Sequence, residues 1–317
     1  MGQLAVGSYQ LPVTGYRLPV IGEQWAVIGE QLSAVYSAEE KKTLARLILQ
    51  FVCNTDLSGL LRSNDVQLTE NEVVEIQRII GELNKNRPIQ YILGETEFYG
   101  LKLAVDENVL IPRPETEELV QNVIAGLTRN PLKNNTILDI GTGSGCIAIA
   151  LAKHLPDAEV YALDISPKAL HIAKKNAETN QANIHFFQHN ILSPNPFTPN
   201  SKLYTLNSKL YTLIVSNPPY ITPSEQAEMQ PNVLNYEPHE ALFVPENEPL
   251  LFYERIATLG QTLLNSDGQL FFEINARFGS EIAELLHRKG YSEIHIIQDI
   301  SKKDRFIQAL WKTKDNK

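Results

Sequence analysis

The chain has 317 residues, a length that fits one large domain or two ordinary ones. Acidic side chains outnumber basic ones by 37 to 28, and the formal net charge of -9 at pH 7 disfavours bulk binding to nucleic acid. The two cysteines, Cys53 and Cys146, cannot build a disulfide framework or a four-cysteine zinc site. We therefore predict no metal site and a reducing, cytoplasmic environment.

The N-terminal residues lack the charged segment and apolar core of a secretory signal. No stretch approaches the roughly 20 apolar residues of a membrane helix, so we expect no membrane association. Residues 9–15 are nearly repeated as 16–22, and residues 20–24 recur as 27–31. Because these copies contain prolines and glycines, we predict that residues 1–26 form a repeat-like, poorly ordered extension rather than a binding motif.

Residues 27–93 have the pattern of a small helical domain. Capping boxes begin at Ser37 and at Thr69, and apolar residues repeat at helical spacing after each of them. A short helix is predicted at residues 56–62. No catalytic cluster is evident here, so we predict an N-terminal domain that packs on itself and docks the substrate.

A β-hairpin linker is predicted at residues 94–112, around Gly100, after Pro88 ends the second long helix. Residues 113–317 alternate between strand and helix patterns, which indicates an α/β domain with a mostly parallel sheet. The predicted strands are 136–140, 159–164, 185–189, 212–216, 268–274, 292–298 and 306–311, and the predicted helices are 145–154, 167–180 and 249–265. A duplication at residues 201–214 precedes the fourth strand, and we interpret its first copy as a surface insertion.

A glycine-rich turn joins the first of these strands to its helix. Gly141, Gly143 and Gly145 let the backbone approach a ligand, and the following helix offers free N–H groups, which indicates a nucleotide-type site. The dinucleotide fingerprint would require glycine where Cys146 stands. The Gly-x-Gly-x-Gly spacing behind Asp139 instead resembles the loop of S-adenosylmethionine methyltransferases. A tight turn without a ligand is the alternative.

Polar residues also follow the second and third strands. Asp164 ends strand two, where a carboxylate can accept hydrogen bonds from both ribose hydroxyls. It could instead cap the next helix, although Ser166 can take that role. Asn190, followed by Ile191, stands where such folds often place an acidic residue near the adenine.

The segment Ser216-Asn-Pro-Pro-Tyr220 follows strand four. Its two prolines fix an extended turn at the sheet edge where open α/β folds place their chemistry. The Asn217 side-chain oxygen and the Pro218 carbonyl can each accept a hydrogen bond from a planar –NH₂ group. That contact would turn the nitrogen lone pair toward a methyl donor. Tyr220 offers a flat surface for the substrate, and the alternative is a purely structural Pro-Pro turn.

These two motifs together resemble those of N-methyltransferases that act on planar –NH₂ groups. Five further segments narrow the resemblance to the peptide chain release factor glutamine methyltransferases, the HemK/PrmC family. They are residues 87–94, 98–100, 110–117, 235–242 and 304–305. The resemblance covers roughly residues 30 to 312. It implies a class I S-adenosylmethionine methyltransferase fold, a Rossmann-like seven-stranded sheet, behind the helical N-terminal domain.

The resemblance further implies methyl transfer from S-adenosylmethionine to the glutamine N5 of the Gly-Gly-Gln motif in release factors. It places the cofactor near the glycine loop, the ends of strands two and three, and the start of the Asn-Pro-Pro-Tyr turn, and the substrate amide along that turn. Asn190-Ile191 departs from the family's Asp-aromatic pair at the position of the adenine contacts. The implied cofactor-binding residues are Gly141, Thr142, Gly143, Ser144, Gly145, Asp164, Asn190, Ile191 and Asn217. The substrate-binding residues are Asn217, Pro218, Pro219 and Tyr220, of which Asn217, Pro218 and Tyr220 are the catalytic candidates.

Other interpretations remain open from the sequence. An adenine-N6 methyltransferase shares the tetrapeptide, but the acidic charge and the lack of a Lys/Arg-rich region disfavour it. A binding protein without turnover is a third possibility. Residues 112–117 form either a structural joint or a lip over the cofactor pocket, and we favour the lip. Glu273, at the end of strand five, is either a buried partner or part of the substrate side.

Overall fold

The computed structural model describes residues 20–63, 65–129, 135–193 and 211–312. These residues form two compact units, which meet in the sequence between Leu93 and Gly94. The first copy of the duplication before strand four, residues 201–207, lies outside the described residues, as do residues 1–19 of the extension. No helix in the described ranges is long and apolar enough to cross a membrane.

The first unit is helical, as predicted. Both capping boxes are present. The Ser37 hydroxyl accepts the Glu40 N–H, and the Glu40 carboxylate accepts the Ser37 N–H. Thr69 and Glu72 make the same two hydrogen bonds. Each box satisfies two amides that a helix start leaves unpaired. The helices are α1 (Ile21–Gln31), α2 (Ala38–Val52), α3 (Leu57–Arg62), α4 (Glu70–Leu83) and α5 (Ile89–Leu93).

Helix α1 corrects the predicted boundary of the extension. It begins at Ile21, inside the segment 1–26, for which the prolines and glycines predict a poorly ordered extension. Ile21 and Ile28 are buried in the helical core, and the Ile21 N–H donates to Val66 O at 3.0 Å. The prediction was wrong for residues 21–26 because the tandem copies conceal an amphipathic period whose apolar side packs on the other helices.

The second unit begins with the predicted hairpin, β1 (Glu95–Phe98) and β2 (Leu101–Ala104). Tyr99 and Gly100 form its turn, both with positive φ. Phe98 and Leu103 are buried in one core with helix and sheet residues of the same unit. The predicted linker, residues 94–112, therefore lies within the second unit.

A seven-stranded sheet forms the centre of this unit. The strands are β3 (Thr136–Ile140), β4 (Glu159–Asp164), β5 (Ile184–Gln188), β6 (Tyr211–Ser216), β7 (Leu264–Glu273), β8 (Tyr291–Gln298) and β9 (Asp304–Trp311). Their order in the sheet is β5-β4-β3-β6-β7-β9-β8. All neighbouring pairs are parallel except those of β9, which runs antiparallel to both β7 and β8. This arrangement confirms the predicted fold class.

Helices cover both faces of the sheet. One buried cluster joins the sheet to the helices at Pro114–Arg129, Cys146–His154 and Pro167–Thr179, and another joins it to the helices at Leu251–Leu263 and Gly279–Arg288. The helices of this unit are α6 (Pro114–Arg129), α7 (Cys146–His154), α8 (Pro167–Thr179), α9 (Pro231–Tyr236), α10 (His239–Leu242), α11 (Leu251–Leu263) and α12 (Gly279–Arg288), with 3₁₀ turns at Pro223–Glu228 and Ala276–Phe278.

The strand register brings the candidate residues to one edge. Ile140 at the end of β3 pairs with Leu163 on one side and with Ser216 on the other. The residues that follow β3, β4 and β6 therefore lie side by side at the carboxyl end of the sheet. The chain order reverses here, since β4 and β5 extend one way from β3 and β6 extends the other, and ligands of open α/β sheets bind at such a point.

Candidate functional site

A cavity of about 250 Å³ opens at this edge of the sheet. Its walls come from the loops after β3, β4, β5 and β6, together with residues 108–110 and part of α11. The predicted site residues that line it are Gly141, Gly143, Asp164, Asn190, Ile191, Asn217, Pro218 and Pro219. Four further candidates, Thr142, Ser144, Gly145 and Tyr220, do not line the cavity.

The first two glycines of the loop face the cavity. Gly141 has φ 73° and Gly143 has φ 55°, a left-handed conformation that side chains rarely adopt. At both positions the space that a Cβ would occupy is open, with no atom within 4 Å. The backbone is thus bare where it meets the cavity, and a ligand can approach it closely.

The third glycine serves packing. Gly145 has φ 84°, and a Cβ built there would lie 3.1 Å from Ile149 Cδ1 and 3.2 Å from Ala173 Cβ. It therefore permits α7 to approach α8. Glycine at this position does not by itself indicate a ligand.

The other two loop candidates are buried and hold the turn in shape. The Thr142 hydroxyl donates to Asp139 Oδ2 at 2.6 Å. Burial raises the pKa of Asp139 to about 7, against the opposing hydrogen bond from Thr142. The Ser144 carbonyl accepts a hydrogen bond from Asn176 Nδ2 at 2.9 Å.

Asn176 links this loop to the hairpin. Its side chain, buried on α8, also donates to Ala104 O at 2.9 Å and accepts from Ala104 N at 2.7 Å. One amide side chain therefore satisfies three backbone groups of two distant segments. This role could not be predicted from the sequence, because an asparagine within a helix pattern is indistinguishable from an ordinary polar residue.

Asp164 is tied to the glycine loop. Its Oδ2 accepts the Gly143 N–H at 2.9 Å, and its Oδ1 accepts the Ser166 N–H at 2.9 Å. Burial raises the pKa of Asp164, and the Glu240 carboxylate raises it further. Ser166 caps α8 with its own hydroxyl, as the sequence allowed. Because Asp164 accepts from both Gly143 and Ser166, it also links the loop after β3 to the start of α8.

The loop after β5 is held from α11. Arg255 donates from Nε to Ile191 O and from Nη2 to Ser193 O, the latter at 2.6 Å. Asn190 and Ile191 line the cavity on this side, and the Asn190 side chain accepts the Leu192 N–H at 2.9 Å. The sequence did not reveal Arg255, since it lies 64 residues from its partner and within an amphipathic helix pattern.

The turn after β6 is anchored by its backbone. Tyr220 N–H and Ile221 N–H both donate to Leu242 O, at 3.2 and 2.9 Å, and Val244 N–H donates to Ile221 O at 2.9 Å. The Ser216 hydroxyl donates to Ile140 O at 2.7 Å. This segment is therefore fixed both to the central strand and to the end of α10.

Side chains of the same turn enter a buried network. Asn217 Nδ2 donates to Thr116 Oγ1 at 3.2 Å, and the Thr116 hydroxyl donates to Glu273 Oε2 at 2.7 Å. The Tyr220 hydroxyl donates to Glu273 Oε1 at 3.1 Å. Glu273 is only 2% exposed and Thr116 is equally buried, so Glu273 is a buried partner of the turn. Of the two roles left open for Glu273, the structure supports this one.

Tyr220 thus faces the core side of the turn. Its ring packs against the large core cluster, and burial raises the pKa of its hydroxyl well above the usual range. The predicted flat surface for a substrate is not part of the cavity wall. Any contact of Tyr220 with a substrate stays a prediction.

Residues 112–117 do not form the predicted lip. Arg113 Nη2 donates to Glu237 Oε1 at 2.6 Å, and Ile111 N–H donates to Glu237 Oε2 at 3.4 Å. The cavity wall nearby is instead made by Asn108, Val109 and Leu110. The proline-rich segment is a joint, which pairs with the segment before α10.

Comparison with known proteins agrees with this geometry. Residues 118–235 match the family model described as "Methyltransferase small domain", and residues 26–94 match "PrmC N-terminal domain". The release factor glutamine methyltransferases of Flavobacterium psychrophilum and Bacteroides thetaiotaomicron are each 44% identical to this chain over 88% of its length, covering 94% and 95% of theirs. The chain belongs to the release factor glutamine methyltransferase family. A further relative of that name, from Lactococcus lactis, is 43% identical over 77% of this chain and 84% of its own.

As a member of the release factor glutamine methyltransferase family, the protein is a methyltransferase, and its methyl donor is S-adenosylmethionine. The adenine-N6 alternative is not favoured, because the relatives are named for glutamine methylation. The helical unit coincides with the match to the N-terminal family model.

Proposed function

We propose that this protein transfers a methyl group from S-adenosylmethionine to the side-chain amide nitrogen of a glutamine in a peptide chain release factor, within its Gly-Gly-Gln motif. One observation carries the proposal. Asn217, Pro218 and Pro219 line the same cavity as Asp164 but follow β6, on the other side of β3 from β4, in a turn fixed by Leu242 and Ile140. An amide brought to that turn would meet a donor bound along the glycine loop.

The cavity fits such a donor. Open space above Gly141 and Gly143 leaves room for a ligand against the backbone, and Asp164 retains lone pairs that can accept ribose hydroxyls. Apolar residues that also line the cavity suit a flat base: Ile165, Ile191, Leu192, Phe252 and Ile256. When bound, S-adenosylmethionine supplies a methyl group on a positively charged sulfur.

The residues of this turn can help an amide nitrogen to act as a nucleophile. An amide nitrogen is a poor nucleophile, because its lone pair is delocalised into the carbonyl. If Asn217 Oδ1 and the Pro218 carbonyl each accept one of its N–H bonds, the nitrogen is held in place and its lone pair is directed at the methyl group. With the nitrogen held in this way by Asn217 and Pro218, the nitrogen–carbon bond would form as the carbon–sulfur bond of the donor breaks with its electrons remaining on sulfur, and the positively charged nitrogen would lose one proton to water.

The substrate class follows from the relatives and from charge. Three relatives bear the name release factor glutamine methyltransferase. The net charge of -9 is compatible with a protein partner that carries basic, RNA-facing surfaces and disfavours nucleic acid itself. We assign the docking of this partner to the helical unit before Gly94. We propose that the protein acts in the cytoplasm, because translation termination takes place there.

Incubation of the purified chain with a release factor and methyl-labelled S-adenosylmethionine, followed by peptide mapping, tests the proposal. We expect label on the glutamine of the Gly-Gly-Gln motif and none on a release factor in which that glutamine is replaced by glutamate. DNA and RNA are offered in parallel. Label on another residue, or transfer to nucleic acid, would overturn the assignment.

A further inference from the structure

The environment of Asn217 is built by two neighbouring strands and one helix start. Asn217 directly follows β6, and Glu273 ends β7, whose Phe272 pairs with Ser216. Both side chains therefore stand at the same edge of the sheet. Thr116, in the first turn of α6, lies between them and contacts each.

The directions of these hydrogen bonds follow from the number of protons available. Burial raises the pKa of Glu273, whereas the hydroxyls of Thr116 and Tyr220 and the charge of Arg305 favour its ionised form. In that form the carboxylate only accepts, and both of its oxygens are occupied by these two hydroxyls. A threonine hydroxyl has one proton, and that of Thr116 is given to Glu273. Thr116 Oγ1 can then only accept from Asn217, so Asn217 must present its –NH₂ group to Thr116.

This orientation leaves the oxygen of the Asn217 amide, Oδ1, on the side away from Thr116. With Nδ2 directed at Thr116, Oδ1 points away from it, and no donor within the described residues reaches Oδ1. A flipped amide would offer –NH₂ where the proposed substrate also has –NH₂, and two donors cannot bond. The orientation of this one side chain therefore decides whether the turn can hold an amide nitrogen.

We propose that Thr116 is a positioning residue, whose hydroxyl, committed to Glu273, fixes the Asn217 amide with its oxygen free for the substrate –NH₂ group. The inference rests on the proposed function, because it concerns how the same turn holds its acceptor. Thr116 itself lies outside the cavity wall and acts only through Asn217. Nothing in the sequence marks it, since Thr116 and Asn217 are 101 residues apart.

Three substitutions separate this role from simple packing. Thr116→Val keeps the shape of the side chain and removes the hydroxyl, whereas Thr116→Ser keeps the hydroxyl. We expect Thr116→Val to lower kcat for release factor methylation by about 10- to 100-fold, since a misoriented group costs that much. Cofactor affinity by calorimetry should change less than about threefold, and Thr116→Ser should restore most of the lost kcat. The matched control is Thr179→Val, an exposed threonine at the end of α8.

A double-mutant cycle tests whether Thr116 acts through Asn217. If it does, Thr116→Val should cost nothing further in the Asn217→Ala background, so the two effects will not add. Full additivity, or a Thr116→Val kcat within about threefold of wild type, would overturn the inference. Equal losses in Thr116→Val and Thr116→Ser would overturn it too.

A second measurement needs no turnover. In the ¹H–¹⁵N spectrum of the full chain, the Asn217 side-chain –NH₂ signal is identified by its loss in Asn217→Ala. We expect one of its two protons to be shifted downfield by the bond to Thr116, to lose that shift in Thr116→Val and to keep it in Thr116→Ser. An unchanged signal in Thr116→Val would refute the inference. Failure of wild-type protein to methylate glutamine would instead refute the proposed function and leave this spectrum to decide.

Discussion

The glycine loop and the Asn217–Tyr220 turn lie at the same edge of one sheet but are built in different ways. The bonds that hold the loop span at most 32 residues: Thr142 to Asp139 spans 3, Gly143 to Asp164 spans 21 and Asn176 to Ser144 spans 32. The turn is held by side chains from afar, with bonds to Glu273 and Thr116 that span 53 and 101 residues.

This difference separates two kinds of requirement. A cofactor common to many reactions can be bound by exposed backbone groups and one carboxylate, and a short motif can encode both. The acceptor amide must be held in one orientation, and orientation is set by packed partners from several elements. Substitutions should therefore act on affinity at the loop and on turnover at the turn.

The largest effect is expected at the turn. Asn217→Ala removes the acceptor for the substrate –NH₂ group, and we expect kcat to fall by about 10²- to 10³-fold, as for loss of one oriented polar group in an active site. Cofactor binding by calorimetry should remain within about threefold of wild type.

Asn183→Ala is the control for Asn217→Ala. Asn183 is exposed at the opposite edge of the sheet, beyond the amino end of β5. Parallel loss of turnover and of cofactor affinity in Asn217→Ala would contradict the division between loop and turn.

Asp164→Asn should act on affinity. The amide cannot accept from both backbone N–H groups and the ribose, so we expect the S-adenosylmethionine Kd to rise about 10- to 100-fold at pH 7. Because burial raises the pKa of Asp164, wild-type affinity should fall on acidification at a higher pH than for an exposed aspartate. It is retained above that pKa and lost as the carboxyl is protonated.

The contribution of Asp164 to this pH dependence should be absent in Asp164→Asn, since its amide does not titrate. Calorimetry from pH 8 downward measures both proteins. The exposed Asp157→Asn, at the other edge of the sheet, should follow the wild-type curve. An identical acid loss in wild type and Asp164→Asn would show that another group controls binding.

Gly145→Ala should reduce stability. Its positive φ and the approach of Ala173 to 3.2 Å lead us to expect a loss of about 1–3 kcal/mol in the free energy of unfolding, measured in urea. Gly141→Ala has the same strain of a positive φ but open space for the Cβ, so it should lower stability less than Gly145→Ala and should weaken cofactor binding.

Gly126→Ala controls for both glycine substitutions. It lies in α6, where a Cβ would have ordinary contacts at 3.8 Å, and stability should hold or rise slightly. If Gly145→Ala kept full stability and lost cofactor affinity, the third glycine would belong to the binding surface.

The smallest effect is expected for Arg255→Met, which keeps the apolar stem and removes the two bonds to the loop after β5. We expect the S-adenosylmethionine Kd to rise by about three- to tenfold, the value of one net hydrogen bond, with little change in kcat. Arg288→Met, which loses only an exposed pair with Glu284, is its control. A drop in kcat at unchanged Kd would place this loop with the turn.

Much of the fold could be predicted from the sequence because its signals are local. Capping boxes at Ser37 and Thr69, the strand before Gly141 and the alternation of strands and helices all lie within short windows. Helix α1 could not be predicted because the duplicated segments contain prolines and glycines, which disfavour a helix, beside the apolar period that forms it.

The candidate site could be predicted only where a short sequence motif encodes it. Gly141, Gly143, Asp164 and Asn217 line the cavity as expected, whereas Thr116 and Arg255 acquire their positions only through the tertiary fold. No spacing rule connects a helix-start threonine with a strand-end glutamate 157 residues later.

The hydrogen bonds of Asn176 join segments of this unit that are far apart in the sequence. Its bonds to Ala104 N and Ala104 O span 72 residues, and its bond to Ser144 O spans 32. Contacts of such separation form late, after the entropy of closing long loops has been overcome. Exchange of the Ala104 amide with deuterium should therefore require the opening that also releases the glycine loop, and the protection of that single hydrogen would report when the cofactor site is complete.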